Sequence, residues 1–143
     1  WLPRALTATA GPRVITPHPG EAARLLGRSV AAVQSDRVGS LRALAELWSN
    51  GSPVWVVLKG RHTLLGRGEG PVRVNGTGNP GLAQGGTGDV LAGYLGGLLA
   101  QPLLAADPER SLAYGVWRHG AAADALEESG RAWTPEDLVH ALA

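Results

Sequence analysis

The sequence predicts an α/β fold: a helix-rich layer around roughly four or five strands, with parallel pairing at its core. Three observations lead there. The run Val54-Trp55-Val56-Val57-Leu58 is almost wholly β-branched or aromatic and does not alternate, the pattern of a strand buried on both faces. Helical periodicity dominates the longer segments on either side of it. The chain has 143 residues, 44% of them apolar and 17% charged, enough for one compact domain with a sizeable core.

In chain order, Arg13-Val14-Ile15 reads as a short strand that leaves through Thr16-Pro17-His18-Pro19-Gly20, a loop fixed by two prolines and a glycine. Glu21 to Leu26 follows as a short helix ended by Gly27, with Glu21 in the first turn, where the macrodipole favours an acid. Ser35 to Asn50 is an amphipathic helix with Val38, Leu41, Ala45 and Trp48 on one face, Ser35 as its cap and Gly51 as its stop. Trp48 belongs to core or domain-interface packing.

Beyond the buried strand, Thr63-Leu64-Leu65 and Pro71-Val72-Arg73-Val74 read as two short strands joined by the turn-rich Gly66-Arg67-Gly68-Glu69-Gly70. Asn75-Gly76-Thr77 leads into a glycine-rich loop from Gly78 to Gly88. A helix starts near Asp89 and carries Val90, Leu91, Tyr94, Leu95, Leu98 and Leu99 at helical spacing until Gln101-Pro102 stops it. Glu109 to Ser129 makes a long helix with Leu112, Val116, His119, Ala123 and Leu126 on one face; His119 there is a helix-face residue near packing. Thr134 caps a last short helix over Leu138 to Leu142, with Pro135 at its first position.

Three places can carry chemistry. The first-turn N–H groups of the helix after the glycine loop have no partners within the helix and lie at the positive end of its dipole, so Gly85-Gly86-Thr87-Gly88 is suited to holding a phosphate. Asp89 beside it can cap the helix or take a proton from a substrate hydroxyl. His18 falls beyond the carboxyl end of a strand, where open α/β sheets bind ligands, or it is a loop histidine with a local hydrogen bond. Lys59-Gly60-Arg61-His62-Thr63 leaves the buried strand at the same edge, and Lys59 there is either solvent-facing or functional. Twelve of the thirteen basic residues are Arg, which leaves Lys59 as the only Lys in the chain and hints that an ammonium is wanted there.

Composition narrows the classes. A net charge of +1 provides no basic field for nucleic acid or an anionic membrane. With no Cys, disulfides, cysteine-ligated zinc and a thiol nucleophile are excluded. No apolar run approaches the roughly 20 residues that span a bilayer, and no charged-then-apolar leader opens the chain, so a soluble cytoplasmic protein is expected. The chain contains no Met and starts at Trp1, as a piece of a longer protein would.

Three motifs together resemble one family. The string Gly78-Asn79-Pro80-Gly81-Leu82-Ala83-Gln84-Gly85-Gly86-Thr87-Gly88-Asp89 is similar to the signature of the ribokinase-like superfamily and, within it, of the ADP- or ATP-dependent NAD(P)H-hydrate dehydratases. Thr16-Pro17-His18-Pro19-Gly20-Glu21 matches a hallmark of those dehydratases residue by residue, and Lys59-Gly60 with Thr63 resembles their nucleotide-binding loop. Leu82 stands where the family usually shows Met, a volume-conserving change.

The resemblance implies a ribokinase-like three-layer α/β/α fold, of which residues 1–143 would be the C-terminal portion. It also implies repair of damaged cofactor: dehydration of NADH or NADPH hydrate driven by ADP or ATP, with Mg²⁺ accompanying the nucleotide and no protein metal ligand. Asp89 would be the catalytic base and touch the substrate, and His18 would hold the nicotinamide. Gly85, Gly86, Thr87 and Gly88 would form the anion hole, and Lys59, Gly60, Arg61, His62, Thr63 and Gly88 would bind the nucleotide. Family members form tetramers or larger homo-oligomers. Two other readings share parts of the pattern: a ribokinase-like kinase for the alcohol of a vitamin precursor, and a nucleotide-binding fragment without catalysis. A complete domain of this kind is about twice as long, so the apolar strands are expected to have an uncovered edge and face.

Overall fold

In a computed structural model, residues 11–49 and 52–143 are described, and the chain forms two compact units, Trp1–Val74 and Asn75–Ala143.

The first unit is built on a four-stranded sheet in the order β1 (Arg13–Ile15), β2 (Val54–Leu58), β3 (Leu64–Gly66), β4 (Arg73–Val74). The expected α/β class holds, and the parallel pairing is confined to one pair. β1 and β2 run parallel with Val14 opposite Trp55, whereas β2–β3 and β3–β4 are antiparallel, with Val57 opposite Leu65 and Leu64 opposite Val74. Val54, Val56 and Leu58 project from one face of β2 into a core with Ala22, Val33, Leu41 and Leu44. Each fully buried leucine there contributes about 1.5–3 kcal/mol by leaving water.

The second face of the sheet departs from expectation. Trp55 and Val57 are 7% and 0% exposed and Leu65 is 3% exposed, so this face is buried. Part of the cover is local: the Arg67 guanidinium lies 4.7 Å from the centre of the Trp55 ring, a cation–π contact that the long side chain makes while its charge stays at the surface. The edge is as expected, since β1 pairs only with β2 among the described residues.

Three helices belong to this unit: α1 (Pro19–Leu26), α2 (Val30–Ser35) and α3 (Arg37–Leu47). α1 starts two residues earlier than the sequence suggested, because His18 provides the cap and Pro19, at the first helical position, has no N–H to satisfy. α2 is an additional helix; its cap is Ser29, whose Oγ accepts the Ala32 N–H at 3.1 Å. The cap of α3 is Asp36 and not Ser35: the Asp36 carboxylate accepts the Gly39 N–H at 2.8 Å, and its charge faces the helix dipole, while the Ser35 hydroxyl donates to the Ala32 carbonyl at the end of α2. The buried face of α3 is Ser40, Leu41, Leu44 and Ala45; Val38 is 43% exposed, and Trp48 packs half-buried against the core. Asn50 and Gly51, the expected end of this helix, lie outside the described residues.

The hairpin's first strand is shifted by one residue, and its second is shortened to Arg73–Val74, without Pro71 and Val72. Thr63 precedes β3, and Gly66 takes part in it because a Cβ there would press on Val72 Cγ2 at 3.1 Å and Leu41 Cδ2 at 3.2 Å.

The second unit is helical: a 3₁₀ turn over Pro80–Ala83, then α4 (Thr87–Leu99), α5 (Pro102–Ala105), α6 (Pro108–Glu128) and α7 (Pro135–Leu142). α5 adds one turn where the sequence suggested only a stop. On α6, Leu112, Val116, His119 and Ala123 are buried as their spacing requires. Ala122, Ala123, Leu138 and Leu142 form a core with Leu82, Val90, Tyr94 and Trp133. Thr134 and Asp137 close a reciprocal capping box at the start of α7. Among the described residues no helix is long and apolar enough to cross a membrane.

Candidate functional site

The parallel β1–β2 pair sends both strands out at the same sheet edge, so the loops bearing His18 and Lys59 emerge side by side. The Lys59 N–H donates to the Pro17 carbonyl at 2.8 Å and ties the two loops together. His18 is exposed and does make the local hydrogen bonds of the second alternative above. Its Nδ1 accepts from the Gly20 and Glu21 N–H groups at 3.0 and 3.3 Å, and Glu21 Oε2 accepts the His18 N–H at 2.8 Å. With Nδ1 an acceptor, the proton of the neutral ring sits on Nε2, 3.7 Å from Glu21 Oε2. Capping and ligand binding are therefore compatible: one ring nitrogen holds the helix and the other presents a donor.

Lys59 is half-buried, whereas Gly60, Arg61 and His62 are exposed. The loop is conformationally demanding, with φ of +127° at Gly60 and +56° at His62, a value that a β-carbon disfavours. The Thr63 hydroxyl donates to the Gly60 carbonyl at 3.1 Å. Arg37, which sequence reasoning passed over, reaches this loop from α3: its guanidinium donates to the carbonyls of Leu58 at 3.1 Å, Lys59 at 3.3 Å and Arg61. Burial lowers its pKa from the ordinary arginine value, and the group stays charged at neutral pH.

In the second unit the glycine-rich turn leads into a helix, as its sequence suggested. Gly86 is the N-cap of α4 at φ +96°, and a Cβ there would also meet Pro135 Cγ at 3.2 Å. α4 begins at Thr87, two residues before Asp89. The Asp89 and Val90 N–H groups are already used, donating to the Gly86 carbonyl at 3.1 and 3.0 Å. Those of Gly85, Gly86, Thr87 and Gly88 have no hydrogen-bond partner among the described residues. The Thr87 side chain is turned inward, with its hydroxyl 2.7 Å from the Leu82 carbonyl and 3.0 Å from that of Gln84, and the residue is buried. Asp89 is exposed, and its carboxylate accepts no hydrogen bond among the described residues; the capping alternative falls to Gly86.

Two residues of α6 hold this loop. His119 is 6% exposed, and its Nε2 donates to the Thr87 carbonyl at 3.0 Å. The Asp124 carboxylate accepts the Gly78 N–H at 2.8 Å and the Asn79 side-chain amide at 3.3 Å. Helical periodicity placed His119 on the right face; nothing in the sequence pattern marked Asp124. Among the described residues no three His, Cys, Asp or Glu side chains cluster as a metal-holding group.

Residues 4–143 match the family model of the NAD(P)H-hydrate dehydratases. The chain belongs to this family. It is 43% identical over 141 residues to the bifunctional NAD(P)H-hydrate repair enzyme of Moorella thermoacetica, covering 97% of this chain and 25% of that enzyme. To the ADP-dependent (S)-NAD(P)H-hydrate dehydratase of Neisseria meningitidis it is 46% identical over 116 residues, 81% of this chain and 37% of the relative. The crystal structure of the Bacillus subtilis ADP/ATP-dependent NAD(P)H-hydrate dehydratase, co-crystallised with ATP and Mg²⁺ and soaked with CoA, superposes with a TM-score of 0.82 at 33% identity, over 95% of this chain and 48% of that one. A ribokinase-like superfamily protein of Enterococcus faecalis does so at 0.71 and 31% identity, over 95% and 45%. The fold is therefore ribokinase-like, and the chain spans less than half the length of these relatives.

Proposed function

We propose that the protein carrying this chain restores NADH or NADPH from its hydrate, using ADP or ATP to remove the added water. Residues 1–143 would form the C-terminal portion of its dehydratase domain. The observation that carries the reading is the exposed, unbonded Asp89 carboxylate next to the free N–H groups of Gly85 to Gly88. Membership of the family supports it.

In this mechanism Asp89 removes the proton from the hydrate hydroxyl as the oxygen attacks the terminal phosphoryl group of the nucleotide. The main-chain N–H groups of Gly86, Thr87 and Gly88, which have no hydrogen-bond partner among the described residues, stabilise the charge that gathers on the transferred group. The nucleotide departs one phosphate shorter; phosphate then leaves the ring carbon, the neighbouring ring carbon gives up a proton to water, and the double bond of the reduced nicotinamide returns. His18 offers its Nε2–H to the nicotinamide part of the substrate. Lys59, Gly60, Arg61, His62 and Thr63 bind the nucleotide, with Gly88 contributing at the phosphates. A Mg²⁺ ion accompanying the nucleotide would be held mainly by its phosphate oxygens and water, with no protein ligand, and would offset phosphate charge. The protein works in the cytoplasm as a homo-oligomer, a tetramer or larger.

The test is recovery of reduced-nicotinamide absorbance from NADH hydrate with ADP or ATP, in the full native protein and its Asp89→Asn variant. Recovery that requires a nucleotide and falls by at least about a hundredfold in the variant is expected. Nucleotide binding without recovery would overturn the reading, and a stable phosphorylated alcohol as product would make the protein a vitamin-precursor kinase instead.

A further inference from the structure

We propose that Arg37 is the positioning residue of the Lys59–Thr63 loop, aiming the main-chain N–H groups of Gly60 and His62 at the adenine nucleotide. This rests on the reading of that loop as the nucleotide-binding segment.

The argument begins with the peptide unit. The peptide bonds of the Leu58–His62 segment are trans, and in a planar trans peptide the C=O and N–H point in opposite directions. The Arg37 guanidinium gathers the carbonyls of Leu58, Lys59 and Arg61. Each belongs to the same peptide as the N–H of the next residue: Lys59, Gly60 and His62. Gathering the carbonyls on one side therefore turns the three N–H groups to the other. The Lys59 N–H is engaged there by the Pro17 carbonyl at 2.8 Å, which fixes the direction of that peptide from both ends. The Gly60 and His62 N–H groups have no partner among the described residues, and both residues are exposed.

The backbone conformation points the same way. His62 at φ +56° carries a steric cost of about 1–2 kcal/mol, and such a conformation persists only where its surroundings over-determine it. Arg37 acts on the peptide that joins Arg61 to His62. Only a guanidinium suits the task, because a flat fork of donors can serve several carbonyls at once, whereas an ammonium on a flexible stem cannot span them. The charge of Arg37 also polarises the three peptides it binds, which strengthens the outward N–H groups as donors.

Arg42 provides a matched control. It lies one and a half turns further along α3 and also binds loop carbonyls, those of Gly68 at 2.8 Å and Gly70 at 3.1 Å, but in the β3–β4 connection. The experiment compares Arg37→Lys, Arg37→Gln and Arg42→Gln in the full native protein. It reads ADP and ATP affinity by calorimetry, KM for nucleotide and for NADH hydrate, the unfolding temperature, and the amide resonances of Gly60 and His62. Both Arg37 variants should weaken nucleotide binding about tenfold, while their hydrate KM and unfolding temperature stay with those of Arg42→Gln. In the wild type, nucleotide should shift the Gly60 and His62 amides, and that response should vanish in Arg37→Gln. Arg37→Gln binding nucleotide as tightly as wild type, or Arg42→Gln losing as much affinity, would overturn the proposal. A wild type that binds no adenine nucleotide overturns the dehydratase reading as well, and is told apart because it is read before any variant.

Discussion

Replacing Gly120 by Ala tests whether α6 holds the Thr77–Gly78 backbone by direct contact. A β-carbon at 120 would lie 2.7 Å from the Thr77 carbonyl carbon and 2.8 Å from its oxygen, with Thr77 Oγ1 also in the way. The first two are main-chain atoms. Their segment is tied down by the Gly78 N–H on Asp124 at 2.8 Å and by the Thr77 hydroxyl on the Trp117 carbonyl at 2.9 Å, so no side-chain rotation relieves the overlap. Overpacking of this kind costs about 1–3 kcal/mol, and loss of the Thr77–Trp117 hydrogen bond about 1 more. Alanine within a helix is favoured over glycine by about 1 kcal/mol, which offsets part of that. The net expectation is a destabilisation of about 1–3 kcal/mol, with Tm lower by roughly 5–10 °C.

The same substitution on α4 should have the opposite sign. Gly96 lies inside that helix, and a β-carbon there meets no atom within 4 Å. Gly96→Ala should therefore gain about 0.5–1 kcal/mol through helix propensity and a less flexible unfolded chain. Thermal and urea unfolding followed by circular dichroism, on wild type and both variants in parallel, measures the contrast. If Gly120→Ala proves as stable as Gly96→Ala, the close approach of α6 to residues 77–78 is not what the packing depends on.

Two further outcomes follow from the caps. Gly86→Ala forces a β-carbon into a left-handed cap beside Pro135, so it should lower stability by about 1–2 kcal/mol and raise the nucleotide KM about tenfold; steady-state kinetics and urea midpoints check both. Hydrogen bonds from the Thr134 main chain and hydroxyl hold the Asp137 carboxyl below its usual 3.8, so its contribution is present above the unfolded value and is lost as pH falls through the lowered folded one. Urea midpoints of wild type and Asp137→Asn should differ at pH 7 and converge as the pH drops below 3.8; a gap unchanged in acid would contradict the assignment.

The elements that the sequence made legible are those whose signal is local. The unbroken apolar run of β2 requires burial on both faces, and both are buried. Thr134-Pro135 defines its own helix start. Periodicity worked less well where two caps compete: Ser35 and Asp36 are adjacent and both can cap, and the choice depends on the break in the chain at Asp36, φ −136° and ψ 76°, which no spacing reveals. Val38 was assigned to an apolar face that turned out to run through Ser40 and Leu44, because a small polar residue can occupy a buried helix position that hydropathy marks as solvent. The glycine turn and its carboxylate were legible because the N–H groups of a helix start are free by construction.

The residues that were not legible share a physical reason. The free N–H groups of the Lys59–Thr63 loop and the glycine turn are main-chain donors, and a main-chain donor is aimed by whatever grips the carbonyl of its own peptide. In the first unit that grip comes from Arg37, 22 positions from Lys59. In the second it comes from His119, 32 positions from Thr87, whose carbonyl shares a peptide with the Gly88 N–H. Polarisation along such a chain strengthens the donor by about a tenth to a third. A motif can record the glycines that let the backbone approach a ligand. It cannot record the side chains that turn the peptides, because their spacing along the chain is set by which helix packs over the loop. If the two segments bind a nucleotide as proposed, substitutions on α3 and α6 at Arg37 and His119 should alter that binding while every motif residue stays in place.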